Sequence, residues 1–254
     1  MSGLLEIDGP LDGQPIVFLH GTRLSRTVWR PVMRRLAGSF RVIAIDLPGH
    51  GSHADEVFTM DAAVAAVVAA VDREAGGRTT LVGLSLGGYV AMETASRHPE
   101  RVRALVIAGA SQEPIGFWSI GFRVLAALLR WAPSGPAAAL DRWFFGTRYP
   151  ADVARAVLDG GTWPRGGAIA VGSLVGRTFA PVLAAYPGPT LVLNGEFDVL
   201  FRSGERRFLA AARDGRRRVI RRATHLTNLD RPAAFAAAVR AFIRGLPEAP
   251  RGGR

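Results

Sequence analysis

The chain has 254 residues, 48% of them hydrophobic, which is enough to bury one large core in a single α/β domain. It contains no cysteine, so disulfides, thiol nucleophiles and thiolate metal sites are excluded and the chemistry must come from oxygen and nitrogen groups. The formal net charge is +11, but all 32 basic residues are arginine, a bias spread along the whole chain that does not build a nucleic-acid patch.

Short apolar runs recur in chain order at 15–20, 41–46, 79–84, 103–108 and 189–194, with a weaker sixth at 217–221. Segments of helical length separate most of them, the pattern of a mostly parallel sheet with helices on both faces. Residues 4–8 are expected to add an antiparallel edge strand. The arginine cluster around 213–222 is expected on a solvated edge. A helix is expected at 61–75, stopped by Gly76 and Gly77, and a last one opens at Arg231-Pro232. In that last helix Phe235, Val239, Phe242 and Ile243 recur at three- and four-residue spacing, a stripe that belongs to the core.

Residues 111–187 interrupt the alternation. No clear strand falls there, and the segment carries Phe117, Trp118, Phe122, Trp131, Trp143, Phe144, Phe145, Tyr149, Trp163 and Phe179. The expected organisation is therefore a core made of 1–110 and 188–254 with an inserted helical cap at 111–187. The cap's inner face is expected to line a substrate pocket, with Trp118, Phe122 and Trp143 as candidates; plain helical packing is the other reading of the same aromatics.

No apolar run reaches the roughly 18 residues of a membrane span, and the N-terminus has no basic start followed by an apolar stretch. The expectation is a cytoplasmic protein with a small-molecule substrate and neither nucleic acid nor membrane as partner.

The chemistry concentrates at Gly83-Leu84-Ser85-Leu86-Gly87-Gly88, where an apolar run turns at once into a helical one. Such a corner strains the residue at its apex, and only small neighbours two before and two after leave room for it. A serine there is held clear of both elements, and the N–H groups at the helix start face any anion that forms beside it. A serine hydroxyl needs a base, and the base needs an acid to fix its tautomer. Asp198 follows the run at 189–194, and His225 follows the last one, giving the chain order serine, acid, histidine. Glu196 is the other carboxylate of the same loop. The loop His20-Gly21-Thr22-Arg23 after the first central run is expected to supply the N–H of Thr22, which with that of Leu86 forms an oxyanion hole. His20 is expected to shape that loop by hydrogen bonding. Arg23 is a candidate for favouring an acidic substrate at the pocket mouth, or is a structural arginine.

These segments, together with Asp46-Leu47-Pro48-Gly49-His50-Gly51-Ser52 and His225-Leu226-Thr227-Asn228-Leu229-Asp230-Arg231-Pro232, resemble the α/β-hydrolase superfamily. The resemblance covers 13–111 and 188–245 and is to the cap-bearing group that includes carboxylesterases, enol-lactonases, carbon–carbon bond hydrolases and non-haem haloperoxidases. It implies a serine hydrolase of an ester, lactone or thioester that uses Ser85, His225 and Asp198 and needs no metal or cofactor. Carbon–carbon cleavage, lyase or cyclase chemistry by the same three residues is the alternative, and a ligand-binding module on the same fold is a third. Ser85 argues against epoxide hydrolase and haloalkane dehalogenase chemistry, which place an aspartate at this corner.

Overall fold

The computed structural model describes residues 5–132 and 134–247. Its strands are β1 (Leu5–Asp8), β2 (Gln14–Leu19), β3 (Phe40–Ile45), β4 (Thr79–Leu84), β5 (Val102–Ala108), β6 (Pro189–Gly195) and β7 (Asp214–Ile220). They form one sheet in the order β1-β3-β2-β4-β5-β6-β7, with only β1 antiparallel to its neighbour. The expected edge strand is thus present from Leu5 onward, while Leu4 lies outside the described residues, as does the tail at 248–254.

The helices of the sheet layers are α1 (Arg30–Leu36), α2 (Met60–Glu74) and α3 (Leu86–Arg97). Between β5 and β6 run α4 (Ser119–Trp131), α5 (Ser134–Arg148), α6 (Ala151–Leu158), α7 (Pro164–Leu174) and α8 (Ala180–Ala185), and no strand is found there among the described residues. After β6 come α9 (Val199–Ala211), α10 (Thr227–Asp230) and α11 (Pro232–Arg244).

The central strands are buried on both faces, as parallel strands under two helical layers must be. Period-two alternation sorts their side chains between two cores. Val17, Leu19, Ile43 and Ile45 pack towards α2 and α3, while Ile16, Phe18, Val42 and Ala44 pack towards α1 and α11. The stripe Phe235, Val239, Phe242 and Ile243 lies in the second core, and burying each such side chain stabilises the fold by roughly 1.5–3 kcal/mol.

At the far edge, β7 begins three residues earlier than the apolar pattern suggested. Its parallel register with β6, from Pro189↔Asp214 to Gly195↔Ile220, is carried by backbone hydrogen bonds while most of its side chains stay in solvent. Charged residues on such an edge discourage pairing with another chain.

The strand order places the site. From β2 the chain steps outward to β3, then returns to the other side of β2 to lay down β4. At this switch point the loops leaving β2 and β4 diverge to opposite faces and open a crevice at the carboxyl ends of the strands. Ser85 ends β4, and the loop from His20 to Arg23 ends β2.

Candidate active site

Ser85 sits between β4 and α3 with φ 52° and ψ −116°, one of three non-glycine residues with positive φ among the described residues. A conformation of this kind costs about 1–3 kcal/mol and persists only where the surroundings impose it. Here a β-carbon on Gly83 would stand 2.2 Å from the carbonyl oxygen of Gly87, and one on Gly87 would stand 2.3 Å from that of Leu19. The bracketing glycines are therefore steric requirements of the corner. Leu86, the first residue of α3, keeps a backbone N–H that has no intrahelical acceptor.

Asp198 follows β6 and heads α9. Its Oδ2 lies 2.9 Å from Nδ1 of His225, across the ends of β6 and β7. With a carboxylate as partner, Nδ1 carries the proton and Nε2 keeps its lone pair. The Asp198 side chain is 5% exposed and that of His225 35%, so the acid is sheltered and the imidazole reaches the cavity. Glu196, the alternative acid, turns away and accepts the backbone N–H of Arg222 at 2.8 Å.

Ser85 and His225 line the same two cavities, together with Thr22 and Leu125. Among the described residues no hydrogen bond joins the serine hydroxyl to the imidazole. The inner cavity, about 280 Å³, is walled by Tyr89, Phe122, Val171, Leu174, Leu200 and Phe201, and also touches Leu86 and Asp198. The outer one, about 220 Å³, is walled by Leu24, Leu84, Leu129, Phe144, Phe145 and Leu226, with Arg23 at its side.

The loop after β2 is held by two buried histidines. The Leu47 N–H donates to Nε2 of His20 at 2.9 Å, so Nδ1 carries the ring proton and donates to the Gly21 carbonyl at 2.9 Å. In the same way the Arg23 N–H donates to Nε2 of His50 at 3.2 Å, and Nδ1 of His50 donates to Pro48 O at 3.0 Å. Both rings are fully buried, and desolvation lowers both pKa values, that of His50 to about 3 with help from the neighbouring His20. The loop-shaping part expected of His20 matches these bonds, and His50 shares it. Asp46, also buried, accepts the N–H groups of Arg26 and Ser52 and pairs with the Arg26 guanidinium.

Of the aromatic pocket candidates, Phe122 does line the inner cavity. Trp118 and Trp143 do not line either cavity and require correction: they are 39% and 65% exposed, Trp118 edge-on to the exposed Phe117. Trp118 precedes α4 and Trp143 lies on the outer face of α5, while Phe122 and Leu125 from α4 and Phe144 and Phe145 from α5 line the cavities. Arg23 lines the outer cavity, but its guanidinium forks onto Asp141 of α5 at 2.7 and 2.9 Å.

The motif reading gave no role to three contributors, of which Asp230 falls within its histidine segment. Gly109, after β5, has φ +55°, and a β-carbon there would meet His225 at 2.8 Å and Asp198 at 3.3 Å, so only glycine lets the pair approach the strand end. Its N–H is fixed by Oδ1 of Asn194 at 3.0 Å. Phe201 lies flat on the His225 ring, with centroids 4.7 Å apart and planes 20° apart. Asp230 anchors the histidine loop by accepting the Thr224 N–H and hydroxyl, both at 2.6 Å, and the Tyr149 hydroxyl at 2.9 Å. Burial alone would raise the pKa of Asp230, but these donors and Arg148 outweigh it and hold the group below the ordinary carboxylate range. The sequence signals were faint: a glycine just past a strand, a phenylalanine one turn after the acid, and an aspartate five residues after the histidine.

A seven-stranded sheet with β1 antiparallel, a serine on a strained strand-to-helix corner after β4 and an acid–histidine pair after β6 and β7 define an α/β hydrolase. The chain belongs to the Alpha/beta hydrolase family, whose model matches residues 16–238. Among curated relatives it is 38% identical over 96 residues to the pimeloyl-[acyl-carrier protein] methyl ester esterase of Neisseria meningitidis serogroup A, covering 37% of this chain and 30% of that protein. It is 41% identical over 105 residues to the 2-hydroxymuconate semialdehyde hydrolase of Pseudomonas sp. strain CF600, covering 39% of this chain and 37% of that one. The chain thus spans about a third of the length of the curated relatives it matches. Over nearly its whole length it shares the fold of the enol-lactonase of Burkholderia xenovorans LB400, with a TM-score of 0.80 and 23% identity over 94% of this chain and 95% of that one. No helix among the described residues is long and apolar enough to cross a membrane.

Proposed function

We propose that the protein is a serine hydrolase that cleaves an ester, lactone or thioester of a small apolar substrate through an acyl-enzyme. His225 takes the Ser85 proton as the hydroxyl oxygen attacks the carbonyl carbon. Asp198 holds the ring in the required tautomer and stabilises the imidazolium, and the N–H groups of Thr22 and Leu86 receive the developing oxyanion. Collapse of the tetrahedral intermediate expels the alcohol or thiol, which takes the proton from His225. Water, deprotonated by His225, then attacks the acyl-enzyme and releases the acid and Ser85. The helical segment 111–187 serves as a cap, with α4, α5 and α7 closing the walls over Ser85.

The observation that carries this reading is the 2.9 Å contact between His225 and Asp198 beside a cavity that also holds the strained Ser85. The ester-hydrolase relative supports the reaction class. The test is hydrolysis of p-nitrophenyl esters by wild type and Ser85→Ala, with a fluorophosphonate probe read by mass at Ser85. Full activity in the alanine variant would overturn it.

A second reading, hydrolysis of a carbon–carbon bond by the same residues, is favoured by the likeness to the semialdehyde hydrolase. Cleavage of a vinylogous diketone by the wild type, with ¹⁸O from water in the product carboxylate and no turnover of esters, would put it first.

A further inference from the structure

The two cavities beside Ser85 have a charge pattern that restricts what can occupy them. The inner walls Phe122, Val171, Leu174, Leu200 and Phe201 carry no polar side-chain atom, and the Tyr89 hydroxyl is engaged with the Gln112 carbonyl at 2.5 Å. One carboxylate, that of Asp198, touches this space, beside the His225 ring that it holds. A carboxylate on a substrate arm would lose its hydration here and find no arginine, and the one basic neighbour, His225, is already engaged by Asp198.

In the outer cavity, the cationic side chain other than the titratable His225 is Arg23. Both Nη atoms of Arg23 donate to Asp141, which is 6% exposed and whose Oδ2 also accepts the Thr162 hydroxyl at 2.8 Å. A forked guanidinium–carboxylate pair of this kind offsets the arginine's charge and occupies the Nη end of its fork, one of the faces an anionic substrate group would use. The Arg23 backbone is also fixed, donating to His50 and accepting the Trp163 N–H at 2.8 Å.

Resting on the serine-hydrolase reading above, we propose that the substrate is an uncharged carboxylic ester or thioester whose arms are hydrocarbon on both sides of the carbonyl, and that Asp141, by occupying Arg23, is the specificity-determining residue that excludes carboxylate-bearing substrates. Arg23 then has no part in drawing acidic substrates to this site. Each methylene buried in the inner cavity raises kcat/KM about fourfold until the space is filled.

The test compares p-nitrophenyl hexanoate with the mono-p-nitrophenyl ester of adipic acid, arms of equal length that differ in a terminal carboxylate. Wild type is expected to prefer the hexanoate by about a hundredfold in kcat/KM, the scale of leaving a charge unpaired in an apolar site. In Asp141→Asn the freed Arg23 is expected to cut that preference about tenfold, through KM with kcat nearly unchanged. In the Arg23→Gln, Asp141→Asn double variant the preference returns to the wild-type value. Equal use of the two esters by wild type, or an unchanged ratio in Asp141→Asn protein whose melting temperature matches wild type, overturns the proposal. Binding of the same two esters to Ser85→Ala, followed by thermal shift, reads the preference without turnover. If wild type hydrolyses neither ester, the reaction class is wrong, and the binding ratio still decides the charge preference.

Discussion

The strand ends and the helical segment 111–187 contribute different residues around the two cavities. At the strand ends, His20, Asp46, His50, Asn194 and Asp198 are polar side chains with between 0% and 6% exposure, each engaged in hydrogen bonds. In the segment, large apolar side chains face solvent, among them Phe117 at 76%, Trp131 at 81% and Trp143 at 65%. Buried polar groups tolerate little change, because an unpaired partner costs a full desolvation penalty, whereas exposed apolar groups scarcely contribute to the fold. The first region is therefore expected to tolerate substitution less than the second.

The sharpest way to break this division is in the loops. Asp198→Asn preserves the shape of the acid but reverses the hydrogen-bonding sense at Nδ1 of His225 and strands the ring in the wrong tautomer. We expect kcat on an activated ester to fall about 10⁴-fold with an unchanged melting temperature. A loss below tenfold would show that the carboxylate does not orient the base.

A second prediction uses the buried His50. Its folded pKa, about 3, lies below the ordinary 6.5, so the unfolded chain binds the extra proton between those values. Stability should therefore decline as pH falls from about 6.5 towards 3, by up to about 1.4 kcal/mol per pH unit from this group. Asp230, held low by its donors, adds acid sensitivity of the same sign, lost as pH falls from the ordinary carboxylate range through its depressed pKa. Urea denaturation of wild type and His50→Gln across pH 4–7 isolates the histidine's share. Parallel slopes for the two proteins would remove His50 as the cause.

Gly109→Ala tests how tightly the loops are set against the strand. The added methyl points at the His225 ring and the residue stays at positive φ, so we expect about a 10²-fold loss in kcat and about 1–2 kcal/mol in stability. Wild-type turnover would mean that the acid–histidine pair tolerates displacement.

The same contrast governs what could be read before any coordinates. Ser85, Asp198 and His225 were legible because each sits where a strand ends, and strand ends are marked locally by an apolar run followed by glycine or a polar turn. The sheet, its antiparallel edge and the core stripe of α11 were legible for the same reason: their periodicity lies within a dozen residues. Asp141 was not, because its meaning arises from Arg23, 118 residues away. Nor were Gly109 and Phe201, which matter only through side chains delivered by other strands. The beginning of β7 was hidden because an edge strand held by backbone bonds need not bury its side chains.

Trp143 shows why aromatic content alone misled. It and Phe145 are two residues apart on α5, which a helical repeat turns to nearly opposite faces. Phe145 is 1% exposed and lines the outer cavity, whereas Trp143 is 65% exposed. Composition counts both but cannot set the rotation of the helix; the buried partners Tyr149 and Val153 do that, through the core they share with Phe145. Trp143→Ala and Trp118→Ala are accordingly expected to leave kcat/KM within about twofold and stability within about 0.5 kcal/mol, while Phe145→Ala costs about 3 kcal/mol or more and alters ester-length preference. Matched melting curves and a p-nitrophenyl ester series measure both effects. A tenfold loss in either tryptophan variant would bring that side chain back to the substrate, through a cap position that turns the outer face of α4 or α5 inward.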